Sequence, residues 1–208
     1  MDVIAATAVR VSTYRPSSAL IRWRTDGHAE IGQLLAAHRA VGGTGPGRRV
    51  ATQQINHALV VQLAALFQRY CRDLHGLCVQ ATAVAAPAML RPILADALTT
   101  GRSLDRQNAH SGALGADFGR FGMDFWPTVT ALGPRYAARR QRLDELNAWR
   151  NAIAHQDFRR VVTDPLLRGT RPDLPTDRIW RRAIAQLAAG MDRVMYVKLC
   201  TTNARPPW

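Results

Sequence analysis

Ile55, Leu59, Leu63, Phe67, Tyr70, Leu74 and Cys78 recur at intervals of three and four residues through ATQQINHALVVQLAALFQRYCRDLHGLCVQ. A helix advances by about 100° per residue, so these positions form one continuous apolar stripe. A stripe of that length specifies a core helix running most of the length of a domain. No segment of the chain shows the two-residue alternation of a half-buried strand. The sequence therefore predicts an all-α protein organised around one long helix.

The neighbouring segments supply its partners. From His28 to Val41, Ile31, Leu34, Leu35 and His38 recur at helical spacing, and Gly42 and Gly43 end the run. The following GGTGPGRR lacks the Lys-Ser or Lys-Thr of a phosphate-cradling loop, and Pro46 removes an amide donor, so it reads as a linker. AMLRPILADAL gives a shorter helix, with Pro92 near its start. Residues 100–122 are polar and dotted with glycine, which predicts a long loop or mobile segment. Pro134 favours a helix start for RYAARRQRLDELNAWRNAIAHQDF. After a proline-rich loop, Thr176 and Asp177 suit the start of a last helix, with Ile179, Ala183, Leu187, Met191, Val194 and Met195 as its buried stripe. The expected architecture is an antiparallel bundle of four to five helices. Residues 28–208 form a single helical domain, and residues 1–27 form an N-terminal arm or tail.

Composition narrows the surroundings. No apolar run approaches the length that spans a bilayer, which argues against a membrane partner. The opening residues lack a basic stretch followed by a continuous apolar one, so a cytoplasmic location is expected. Cys71, Cys78 and Cys200 have no C-x-x-C spacing, and the scattered histidines have no metal-ligand spacing; neither a metal nor another cofactor is expected. The formal charge of +13 rests on 27 arginines and one lysine. Such a surface attracts polyanions by counterion release, RNA among them, although an anionic membrane surface or an acidic protein fits it as well.

The chemistry concentrates in LNAWRNAIAHQDF. Asp144, Asn147, Asn151 and His155, spaced by three, four and four, line one side of a helix whose opposite side carries Leu143, Leu146, Trp149 and Ile153. Asn151, one turn before His155, is placed to orient its imidazole. Arg150 flanks the apolar stripe, where a guanidinium is best explained by an anionic target. An imidazole can carry a proton from a 2′-hydroxyl or to a leaving oxygen, and a guanidinium can stabilise a developing phosphorane. Asp144 and Asn147 read either as support for this pair or as a solvated helix face. Arg159 and Arg160, just beyond, read either as phosphate-binding residues or as an exposed basic pair. In a chain with 27 arginines and 6 histidines, an Arg-x4-His spacing arises about once by chance, so its context carries the signal.

In that context the segment Arg150-Asn151-Ala152-Ile153-Ala154-His155 resembles the signature of the HEPN superfamily: Arg, usually a polar residue such as Asn, then a gap to His. The long amphipathic helix and the closing helix extend the likeness over roughly residues 50–200. The resemblance implies a HEPN-like domain that forms a homodimer, with Arg150 and His155 facing a composite cleft as catalytic residues. It further implies metal-independent endoribonuclease activity on an RNA substrate by 2′-hydroxyl attack, and a role as the toxin of a toxin-antitoxin or antiphage defence system, with an antitoxin protein as a further partner. Some relatives carry a modifiable tyrosine two positions after the histidine; this chain has Asp157 there. The alternative reading is a noncatalytic HEPN-like module that binds RNA or protein.

Overall fold

A computed structural model describes residues 13–42 and 49–208. Among the described residues the only regular secondary structure is helical. Three long helices carry the domain: α3 (Arg49–Ala85), α8 (Arg135–Ala154) and α10 (Leu174–Asn203). The stripe read from the sequence is the inner face of α3, with Leu59, Leu63, Phe67, Tyr70, Leu74 and Cys78 buried and Ile55, at its start, half-buried. Hydrogen bonds fix the helix directions. Tyr70 Oη donates to the Ala188 carbonyl at 2.7 Å, and Asn203 Nδ2 donates to the Ala81 carbonyl at 3.2 Å, so α3 and α10 run the same way. Tyr136 lies against Gly190 while Trp149 Nε1 reaches Thr170 Oγ1 at 2.7 Å, so α8 runs antiparallel to α10. α2 (His28–Gly42) folds back along α3, where Glu30 accepts from Gln62 at 2.5 Å and Arg69 at 3.0 Å. The bundle is thus mostly antiparallel, with one parallel pair at its centre.

α10 begins at Leu174, two residues before Thr176, because Asp173 caps it, accepting from the Thr176 amide at 2.9 Å, with Pro175 in the first turn. Its buried face differs from the expected stripe at one position. Ile179 is half exposed, and Trp180, fully buried, takes the inward place ahead of Ile184 and Leu187. The register is set by the large indole, which fills more of the core than an isoleucine would.

The segment 13–27 is packed against the bundle. Ser17 caps α1 (Ser18–Arg22), accepting from the Leu20 amide at 3.1 Å, and a π-helical turn (Trp23–Gly27) leads directly into α2. Leu20 and Trp23 are buried, Trp23 edge-on to Phe67 with ring centroids 5.9 Å apart. At the heart of this attachment lies Asp192 of α10, fully buried. Its carboxylate accepts from Tyr14 Oη at 2.8 Å, from the Ser17 amide at 3.1 Å and from Ser17 Oγ.

Residues 100–122 overturn the expectation of a loose loop. α4 (Arg91–Thr99) is followed by α5 (Ser103–Arg106) and α6 (Ser111–Gly119), and then by α7 (Phe125–Thr130). The polar residues that suggested a loop are the ones that order it. Buried Asp117 accepts from the Ser103 and Leu104 amides at 2.8 and 2.7 Å, and Arg120 donates to the carbonyls of Thr100 and Gly101 at 2.8 and 3.0 Å. Leu104, Leu114 and Phe118 anchor the segment in the core.

His75 of α3 packs beneath this segment, fully buried. Its Nε2 contacts the Asp117 carbonyl at 3.3 Å, and its Nδ1 faces Arg102 Nη1 at 3.4 Å. A neutral imidazole with the proton on Nε2 satisfies both partners. Burial, helped by the Arg102 charge, pushes its pKa down to about 4. The unfolded chain binds this proton near pH 6.5 and the folded chain only near 4, so stability present above 6.5 is lost as pH falls toward 4. The loss should amount to about 3 kcal/mol. Denaturation midpoints measured across that range should fall for the wild type and stay flatter for His75→Leu; equal slopes would exclude His75 as the source.

Candidate active site

α8 is alanine-rich and starts directly after Pro134, and its inward face of Leu143, Leu146, Trp149, Ala152 and Ile153 is buried against α3 and α10. Its polar side packs in part against the segment 108–111. Asp144 Oδ1 accepts from the Ser111 amide at 2.9 Å. Asn147, buried, donates to the Ala109 carbonyl at 3.2 Å and to the Leu143 carbonyl at 3.0 Å. Asn151 Oδ1 accepts from Asn108 Nδ2 at 2.7 Å. Three side chains at helical spacing therefore hold residues 108–111, the junction of α5 and α6, along the C-terminal half of α8.

The same Asn151 oxygen accepts from Arg150 Nη1 at 3.2 Å. This is the one hydrogen bond of the Arg150 guanidinium among the described residues, which leaves most of its five donors for a ligand. Arg150 is half-buried. Asn151 is spent on Asn108 and Arg150. It orients the guanidinium, and no bond joins it to the His155 imidazole.

His155 is the C-terminal cap of α8. The helix closes there in a Schellman turn: the Gln156 amide donates to the Ile153 carbonyl at 3.2 Å and the Asp157 amide to the Ala152 carbonyl at 2.9 Å, with Gln156 in the left-handed region at φ 53°. The turn stops the helix abruptly and leaves His155 exposed, its imidazole without a hydrogen bond among the described residues. Phe158 continues the turn and stacks on His57 of α3 at 5.5 Å, tying the end of α8 to the core helix. Burial pushes the His57 imidazole below its ordinary pKa, which suits this packing role.

Arg159 is exposed, with no ion pair among the described residues. Arg160 opens the short α9 (Arg160–Thr163) and faces Asp164 at 3.5 Å. Both lie just beyond the helix end that carries Arg150 and His155. Along a helix, five residues correspond to about 140° of rotation and about 7 Å of rise. Arg150 and His155 thus sit at one end of α8 but leave its axis in different directions.

Sequence reasoning missed Asn108. It lies 43 residues from its partner Asn151 in a segment read as a loop, and no local pattern marks it. Among the described residues no group of three or more histidine, cysteine or acidic side chains is placed to hold a metal ion. No described helix is long and apolar enough to cross a membrane. Comparison with protein-family models, with curated proteins and with solved structures finds no match.

Proposed function

We propose that the chain is a metal-independent endoribonuclease that acts as a homodimer, of the kind that serves as a toxin or in antiphage defence. The observation that carries this reading is the contrast along α8. Asp144, Asn147 and Asn151 are each committed to the 108–111 segment, whereas the exposed His155 imidazole has no partner among the described residues and the Arg150 guanidinium has one. An uncommitted imidazole and an under-used, oriented guanidinium at the same helix end suit transfer at a phosphodiester. The high positive charge favours a polyanionic substrate.

In this mechanism the RNA supplies its own nucleophile. The 2′-oxygen forms a bond to phosphorus as the bond to the 5′-oxygen breaks. The imidazole of one protomer's His155 takes the proton of the 2′-hydroxyl, and the facing protomer's His155, as imidazolium, gives a proton to the leaving 5′-oxygen. Arg150 spreads the charge of the five-coordinate phosphorane. The products are a 2′,3′-cyclic phosphate and a free 5′-hydroxyl, and DNA, lacking the nucleophile, is left intact.

The test is to incubate the purified protein with RNA in excess chelator and analyse the product ends. Cleavage leaving 2′,3′-cyclic phosphate, with a 2′-deoxy substitution at the cut site blocking it, supports the reading. Salt-sensitive RNA binding without turnover would instead establish the noncatalytic module. Cutting of DNA would exclude the mechanism outright.

A further inference from the structure

The opposite end of α8 carries a second concentration of positive charge that the proposed chemistry does not use. Where the first half of α8 crosses the first half of α10, a cleft of about 350 Å³ opens, lined by Arg135, Arg139 and Arg142 of α8 and by Ile179 and Arg182 of α10. No carboxylate lines it. The arginines are of two kinds. Arg142 and Arg139 are held in place: Glu145, nearly fully buried, accepts from Arg142 Nη1 at 2.5 Å, and the Arg139 guanidinium lies 4.3 Å over the Tyr136 ring. Tyr136 is itself pinned against Gly190, where a side-chain Cβ would overlap the ring. Arg135 and Arg182 are exposed and have no ion pair among the described residues.

Two guanidiniums braced by the fold and two free ones around one concave surface make a poor arrangement for stability, since like charges are brought together with a single buried carboxylate to offset them. They make a good one for a polyanion. Arg135 and Arg142 are seven residues apart, about 10 Å along the helix axis, so the cleft can face more than one phosphate of an extended strand. Guanidinium forks match phosphate oxygens bidentately, and the exposed Ile179 adds an apolar surface against which a base can rest. Arg139 and Arg150 are eleven residues apart, which places them on the same side of α8 to within about 20° and about 16 Å apart along its axis. A strand with its scissile phosphate at Arg150 would therefore have this cleft within a few nucleotides.

We infer that the arginine cleft between α8 and α10 binds the phosphate backbone of single-stranded RNA and holds the stretch of substrate flanking the cut. This rests on the nuclease reading for its biological sense, but its test does not need cleavage. The full chain carrying His155→Ala is titrated with a labelled single-stranded RNA, in chelator, over a range of salt. Arg135→Gln/Arg139→Gln/Arg182→Gln is compared with Arg24→Gln/Arg39→Gln/Arg205→Gln, which removes the same charge from other exposed positions. Each lost phosphate contact on a single strand lowers the log-log salt slope by about 0.7, so the cleft variant is expected to lose about 2. Its loss of affinity between about 50 and 200 mM salt should accordingly be about 20-fold smaller than that of the parent. The control triple should keep nearly the parent slope. Equal slopes in the two triples, or no RNA binding by the parent, would overturn the proposal and make an acidic protein segment the next occupant to test. The nuclease reading fails on a different result: a chain with His155 intact that binds this RNA and never cuts it.

Discussion

Asp192→Ala is expected to lower the free energy of unfolding by about 3 kcal/mol, which for a domain of this size moves the melting temperature down by about 6–12 °C. The carboxylate is fully buried and is the shared acceptor for Tyr14 Oη and for both the amide and the hydroxyl of Ser17. Alanine leaves a buried amide and a buried hydroxyl without their acceptor, and each such orphan costs about 1–3 kcal/mol. The damage should spread, because Ser17 also caps α1, and α1 presents Leu20 to the core. Burial raises the Asp192 carboxyl above its ordinary range. The contribution of this one group is therefore full below the ordinary carboxylate pKa and declines as pH rises through the raised value, opposite in direction to that of His75. Asp192→Asn keeps an oxygen acceptor and carries no charge, so it should melt above Asp192→Ala and show less of that decline. A melting temperature of Asp192→Ala within a degree of wild type would show that the N-terminal segment contributes little to the fold.

His155→Ala is expected to slow RNA cleavage by about 10²–10⁴-fold, the range for removal of a positioned general acid or base. It should leave stability within about 0.5 kcal/mol, since the side chain is exposed and has no described partner to lose. Arg150→Ala should slow the reaction by about 10²–10³-fold, as loss of a donor to transition-state charge does, and Arg150→Lys should recover only part because an ammonium lacks the planar fork. Thermal melting monitored by circular dichroism separates the roles. A melting temperature that falls together with the rate would assign His155 to the structure of the helix end and not to the chemistry.

How much of this was legible in the residues varies with the range of the interaction. The faces of α3 and α8 are local periodicities, and Leu63, Phe67, Leu143 and Trp149 are buried as their spacing requires. Arg150 and His155 lie at the end of the expected helix because that end is fixed locally, by the turn through Gln156. The segment 100–122 was misread because Asp117 and Arg120 order it through bonds to residues about fourteen to twenty positions away, which no window of local pattern contains. Asp144 and Asn147 left two readings open in the sequence. The geometry favours a third: they fasten Ser111 and Ala109 to the helix, a role set by tertiary contacts. The attachment of Tyr14 and Ser17 to Asp192 spans more than 170 residues and has no sequence signature.

The proposed chemistry requires Arg150 and His155 to act at the same phosphate. The measurement closest to that claim is the single-turnover rate at which wild type, each single alanine variant and the double variant cut one short RNA in chelator. Residues that act as a unit are strongly non-additive, so each single change is expected to remove nearly all of the rate and the double variant to fall little below the slower single one. Cleavage at the wild-type rate by either single variant would contradict the account.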